Sequence, residues 1–301
     1  MMKKRTLGTS NIQVSEIGFG CMSLPQELQE AQAIIDAAVS SGINYFDTAD
    51  LYNKGRNEEL VGKLLKPHRQ HVVLATKVGN QWNPDSEEVK WNATKPYILE
   101  QVHNSLRRLQ TDYIDLYQLH GGMITDSIDE TIEAFEALKK DGLIREYGIS
   151  SIRPNVIMQY LEKSDIRSIM MQYSLLDRRP EEYLEEIQKA GRSVVTRGSL
   201  AKGLLTNEGI ARAMKTGSYM AYQERELTKT IKQLMEIHPN LHALSLHSVL
   251  KQPAIASIVA GASSPSQIED TVKAYETTVS PEQIKEALSR TKQGRYQEHR
   301  D

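Results

Sequence analysis

Eight times along this chain a short apolar or β-branched run gives way to a longer segment of helical periodicity. The runs occupy residues 17–21, 43–48, 72–77, 114–119, 146–150, 168–172, 194–197 and 255–260. The segments between them carry helix signatures. In residues 128–140, Ile132, Phe135 and Leu138 form an apolar stripe and Gly142 supplies the stop. A strand can reach a parallel neighbour only through such a crossover, and crossovers are right-handed, so eight units in a row either close into a barrel or wind into an open sheet. An open doubly wound sheet usually carries G-x-G-x-x-G after its first strand, but here Gly18-Phe19-Gly20 is followed by Cys21-Met22-Ser23, with no third glycine. The expectation is therefore an α/β protein, a (β/α)₈ barrel forming one domain over residues 1–301, a length such barrels routinely need.

Two stretches interrupt the spacing, residues 79–94 after the third run and 204–224 after the seventh. Both follow strand C-termini, the barrel face on which such folds build their sites, so both are expected to surround a ligand. At that face the runs end in Asp47, Lys77, His120, Ser150, Gln172 and Arg197, and Tyr52 lies five residues beyond Asp47. A phenol, with an ordinary pKa of about 10, donates protons well near neutrality only if its phenolate is stabilised. Lys77 can supply the charge, Asp47 can keep Lys77 protonated, and His120 can position a carbonyl oxygen.

These residues sit in runs that resemble the aldo-keto reductases. The likeness begins at Leu7-Gly8, Val14-Ser15 and Ile17-Gly18-Phe19-Gly20-Cys21-Met22. It continues through Asn44-Tyr45-Phe46-Asp47-Thr48-Ala49-Asp50-Leu51-Tyr52, with Gly55 and Asn57-Glu58, to Thr76-Lys77. The run from Asp112 to His120 and Tyr147-Gly148-Ile149-Ser150 extend it over nearly the whole chain. The resemblance implies a TIM barrel that reduces aldehydes and ketones with NADPH, bound as NADP after turnover. It implies catalytic roles for Asp47, Tyr52, Lys77 and His120: the tyrosine gives the proton, the lysine and aspartate tune it, and the histidine orients the substrate.

The same resemblance implies cofactor contacts from Gly20, Cys21, Met22, Asp47, Ser150, Ser151, Gln172, Arg197, Gly198, Leu200, Lys202, Gly261, Ser263, Gln267, Asp270 and Thr271. Three of these depart from the family pattern. Ser151 stands where an asparagine usually holds the nicotinamide carboxamide, and Arg197 where an aromatic ring usually stacks. Gln267 stands where an arginine often meets the 2′-phosphate. Met22, Trp82, Trp91 and Met123 lie on the loops expected around Tyr52 and suit an apolar carbonyl substrate. The alternative reading is a nicotinamide-binding regulatory or sensor barrel with little turnover; a cofactor-free barrel isomerase is a third.

Composition limits the partners. Lys plus Arg number 37 against 39 Asp plus Glu, a net charge of -2, so nothing favours nucleic acid. No window is apolar enough to span a membrane: the densest run, residues 34–39, is broken by Asp36. The lone Cys21 excludes an internal disulfide, and the basic start lacks an apolar stretch behind it, so a cytoplasmic protein is expected. It is expected to meet a small-molecule carbonyl substrate and to act as a monomer or weak homo-oligomer. His238, His242 and His247 lack metal-site spacing, and no metal is expected. Glu181, Glu182, Glu185 and Glu186 fit a solvated helix face.

Overall fold

A hairpin comes first: β1 (Lys4–Thr6) pairs antiparallel with β2 (Gln13–Ser15). A computed structural model describes residues 2–83, 86 and 88–300; Met1, Pro84, Asp85, Glu87 and Asp301, which the expected domain and its first insertion included, lie outside. The expected strands follow as β3 (Ile17–Gly20), β4 (Tyr45–Asp47) and β5 (Val73–Val78). A second hairpin, β6 (Asn80–Trp82) with β7 (Val89–Trp91), then precedes β8 (Ile114–Leu119), β9 (Ile144–Ser150), β10 (Ser168–Gln172), β11 (Ser193–Arg197) and β12 (Ile255–Ala260). Strands β3, β4, β5, β8, β9, β10, β11 and β12 pair in sequence order, all parallel, and β12 returns to β3 to close the barrel. The fold is the (β/α)₈ TIM barrel.

The crossovers are α1 (Leu28–Ser40), α2 (Arg56–Leu65), α3 (Lys95–Leu109), α4 (Ile128–Lys140), α5 (Pro154–Lys163) and α6 (Glu181–Lys189). Three helices, α7 (Gly209–Thr216), α8 (Glu224–Ile237) and α9 (Leu241–Leu250), separate β11 from β12, and α10 (Pro265–Glu276) and α11 (Pro281–Arg290) end the regular structure. Helix α4 has the expected bounds; Phe135 and Leu138 are buried, and Gly142 takes φ +75° where the chain leaves it. In α6, Glu182, Glu185 and Glu186 face solvent, but Glu181 turns inward to Arg178 at 2.7 Å. The described residues contain no helix long and apolar enough to cross a membrane.

Both long stretches acquire structure that hydrophobic period alone does not announce. Residues 79–94 hold the β6–β7 hairpin, and α7 lies inside residues 204–224. There Leu204 and Leu205 bury themselves with Ile231, Leu234 and Leu244, a second core outside the barrel. At the opposite end, Leu7, Ile12 and Val14 of the N-terminal hairpin plug the barrel beneath Tyr45, Ala75, Leu116 and Met170.

The period of two along each strand decides what faces the interior. On β4 the ring of Tyr45 enters the lower core and Asp47 stands two residues above it. On β5, Ala75 and then Lys77 do the same, and on β8, Leu116 and then Gln118. The residues between them point outward: Phe46 and Tyr117 join the helix-packed core, and Thr76 donates to Glu58 of α2 at 2.6 Å. The barrel thus has an apolar lower layer and a polar layer directly above it.

Candidate active site

That polar layer is held by short contacts. Lys77 Nζ, with no solvent exposure, lies 2.5 Å from Asp47 Oδ1, 2.7 Å from the Thr48 carbonyl and 3.4 Å from the Tyr52 hydroxyl. The ammonium therefore spends its three donors on three fixed oxygens. Gln118 Nε2 donates to the other oxygen of Asp47 at 3.3 Å. The His120 ring meets Tyr52 edge to face, centroids 5.9 Å apart, and its buried Nδ1 has no partner among the described residues. Asp47, Tyr52, Lys77 and His120 therefore share one place. Gln118 belongs with them and was not singled out from sequence, although its position two residues after an inward Leu116 was the available signal.

Tyr52 is delivered by a tight turn after β4. Asn53 and Lys54 both adopt left-handed backbone, φ 50° and 53°, and Gly55 follows at φ +83°. Consecutive non-glycine residues in that region are strained, a condition that persists where surrounding structure over-determines it. Two anchors do so here. Asn57, buried, accepts from Thr48 Oγ1 at 2.6 Å and donates to the Cys21 carbonyl at 2.8 Å. Arg108 lies against Gly55 and donates to Glu58 at 2.6 Å.

Burial pushes the Asp47 carboxyl above its ordinary value, against the pull of Lys77, Gln118 and Arg197. Burial alone would pull Lys77 down, but Asp47 and Tyr52 together hold the ammonium above its ordinary value. The Tyr52 phenol is also raised: burial outweighs the opposing attraction of Lys77, and the Asp47 charge adds to it. The sequence predicts that Lys77 stabilises the phenolate. In the structure Lys77 works in that direction, yet the resting group is a neutral phenol, poised to give a proton rather than lacking one. Burial, helped by Lys77 and Arg197, drops His120 to about 3, so its imidazole is neutral at physiological pH.

Three adjoining cavities open above these groups. One of about 1020 Å³ reaches Tyr52, His120, Trp91, Met123, Ser150 and Ser151. A second, of about 560 Å³, is lined by Gly20, Asp47, Tyr52, Gln172, Arg197, Gly198, Lys202 and Gly261. A third, of about 820 Å³, runs past Leu200, Lys202, Gly261, Gln267, Asp270 and Thr271. Met22, 68% exposed, borders all three, so they form one trough across the barrel mouth. Fourteen of the sixteen expected cofactor residues line it. Cys21 does not: it is fully buried, and burial pushes its thiol well up. Ser263 does not either, its N–H donating to Gln267 Oε1 at 2.8 Å.

The donors in this trough suit a dinucleotide. Hydroxyls of Ser150 and Ser151 and the amide of Gln172 line the cavities that also hold Tyr52, while Lys202 and, from the last turn of α10, Lys273 supply positive charge. Gln172 is already engaged, donating to Asp177 at 2.9 Å and accepting from Arg197 at 2.9 Å. Arg197 thus holds the amide expected to face a carboxamide.

On the substrate side, Trp91 donates from its indole nitrogen to Asp126 at 2.8 Å and packs over Gly79, where a Cβ would meet its ring at 2.8 Å. Trp82 lines none of the three cavities; its ring lies under the Lys54 ammonium, 5.0 Å from the centroid. The sequence reading missed the C-terminal tail. Residues 295–299 line the same cavity as Trp91, and no periodicity marks them. His238 Nδ1 accepts from the Asn240 N–H at 3.0 Å and its Nε2 faces the Thr278 carbonyl at 3.3 Å, while His247 Nε2 faces the Tyr275 carbonyl at 2.9 Å.

Comparison with known proteins gives concordant results. The model of the "Aldo/keto reductase family" matches residues 16–289. The chain is 52% identical to the "Uncharacterized oxidoreductase YqkF" of Bacillus subtilis (strain 168), covering 99% of this chain and 100% of that one. It is 32% identical to the "NADH-specific methylglyoxal reductase" of Escherichia coli (strain K12), covering 93% and 95%. Among solved structures it resembles the holo form of aldo-keto reductase AKR11C1 from Bacillus halodurans, with TM-score 0.94, 53% identity and complete coverage of both chains.

Proposed function

The chain belongs to the aldo/keto reductase family of oxidoreductases, and from that premise we propose that it reduces an aldehyde or ketone to an alcohol with a nicotinamide cofactor, Tyr52 giving the proton. One observation carries the reading. The Tyr52 hydroxyl lies 3.4 Å from a buried ammonium that is itself 2.5 Å from Asp47, beside a neutral imidazole in the wall of an open cavity.

The reduced nicotinamide, when bound, supplies the hydride. Ser150, Ser151 and Gln172 would hold its carboxamide, and Lys202, Lys273 and Gln267 the phosphate-bearing end. The protein's own groups handle the remaining proton. A neutral imidazole can donate one hydrogen bond to the carbonyl oxygen and so direct it at the Tyr52 hydroxyl. As negative charge develops on that oxygen, the phenol proton moves to it and the phenolate is left facing Lys77. Asp47, fixed by Gln118, keeps Lys77 charged throughout, so the stabilising field needs no reorganisation.

For the cofactor we infer NADPH with a reduced margin over NADH. Gln267 offers no charge, and its Oε1 is committed to the Ser263 N–H, leaving only a neutral amide donor. One relative carries an NADH-specific name, which supports a narrow margin. The test is purified protein mixed with each reduced cofactor and a panel of aldehydes, ketones, diketones and quinones, methylglyoxal included. Cofactor oxidation that depends on the carbonyl is the expected result. Tight cofactor binding with no turnover of any compound would favour the sensor reading instead.

A further inference from the structure

The lining of the 1020 Å³ cavity is strongly basic. It carries Arg153, Arg179, Arg197 and Arg295 against one carboxylate among the described lining residues, that of Glu298. They arrive from separate places: the residue before α5, the loop after β10, the end of β11 and the C-terminal tail. A chain of net charge -2 therefore gathers four guanidinium groups around one opening.

Among the described residues, only Arg179 is neutralised, its fork closing on Asp177 at 2.7 and 2.8 Å. Arg153 donates to the Gly122 carbonyl and Arg197 to the Gln172 carbonyl oxygen, both uncharged acceptors. Arg295 makes no ion pair among the described residues, and the nearby Glu182 is taken by Arg300 at 2.6 Å. Guanidinium groups keep their charge at any physiological pH, and several lining a concave wall concentrate anions there. Their planar forks match a carboxylate or phosphate. Arg197 also lines the cavity that contains Asp47 and Tyr52, so the basic wall begins beside the reacting groups. Arg153 and Arg295, by contrast, border only the cavity of Tyr52 and His120 and neither of the other two, which separates them from the cofactor trough.

We propose that the substrates are acidic carbonyl compounds, with the aldehyde or ketone at Tyr52 and a carboxylate or phosphate held by the wall of Arg153, Arg197 and Arg295. This inference rests on the carbonyl-reductase reading and names the substrate class of that site. The apolar face of Trp91 and Met123 would then pack the carbon skeleton between the two ends.

Matched pairs test it: 4-carboxybenzaldehyde against 4-methylbenzaldehyde, and succinic semialdehyde against butanal. The acidic member of each pair is expected to have kcat/KM about tenfold higher at low salt, the sum of several partly exposed charge contacts, and the ratio should shrink as potassium chloride is raised. Exposed Arg295 can be changed without disturbing packing. Arg295→Ala should lower the ratio several-fold and Arg295→Glu more, through the acidic substrate alone. Calorimetric binding of benzoate against benzamide gives a readout without turnover, with benzoate expected to bind more tightly and to weaken in Arg295→Ala. Ratios at or below one that ignore both salt and Arg295 would overturn the proposal while leaving carbonyl reduction intact. Benzoate binding that depends on Arg295, in a protein that reduces no carbonyl, would uphold the anion site and overturn the reductase reading.

Discussion

His120 shows most directly how burial sets chemistry at single residues. Its imidazole is held at about 3, and the buried His242 at about 4, both pulled down from about 6.5 mainly by loss of water. The rate of carbonyl reduction should therefore show no limb near pH 6.5, since His120, proposed to orient the substrate, is neutral on both sides of that value. A limb there would contradict a neutral orienting imidazole. Stability should respond differently. The unfolded chain takes up protons at both histidines as pH falls through about 6.5, whereas the folded protein does so only near 4 and 3, so unfolding gains up to about 1.4 kcal/mol per pH unit per histidine. Thermal unfolding followed from pH 7 to pH 5 should show a falling midpoint, and His242→Asn should flatten part of that fall. Equal slopes in the two proteins would remove His242 from the account.

Elements divide into those legible from pattern and those fixed by tertiary packing. All eight barrel strands and the bounds of α4 follow from hydrophobic period, because a parallel strand buried on both faces must be apolar along its length. The Asp, Tyr, Lys and His of the site were legible too, because strand ends at one barrel mouth must converge. The N-terminal plug was not, since Lys4–Thr6 and Gln13–Ser15 are three-residue strands whose only apolar commitment is to the barrel floor. The inward turn of Glu181 depended on Arg178, and the tail at Arg295 on the surface it covers; neither leaves a periodic trace. The turn that presents Tyr52 lies between these extremes. Gly55 holds φ +83° with Arg108 against it, and a Cβ there would meet the guanidinium stem at 2.8 Å. Gly55→Ala should cost about 1–2 kcal/mol, lower the melting midpoint by a few degrees, and reduce kcat more than it changes cofactor affinity. A variant with unchanged kcat would show that the turn does not set the position of Tyr52.

Across the whole molecule, charge and shape are distributed over one face of the barrel. Lys202 and Lys273 line the cavity that runs past Gln267, and Arg153, Arg179, Arg197 and Arg295 line the one that holds His120. In the former, Gln267→Arg should raise the preference for NADPH over NADH by roughly one to two powers of ten, the worth of about 1.5 to 3 kcal/mol of charged hydrogen bonding. Titration of both proteins with both cofactors measures it, and an unchanged ratio would place the 2′-phosphate away from residue 267. The buried ion pair is proposed to make Tyr52 a proton donor in carbonyl reduction. The most direct test of this role compares carbonyl-dependent oxidation of NADPH by the natural protein and by Tyr52→Phe, with NADPH binding measured alongside. We predict a rate lower by about 10²-fold to 10⁴-fold with cofactor affinity nearly unchanged; a loss of less than about tenfold at equal affinity would contradict the assignment of Tyr52 as the acid.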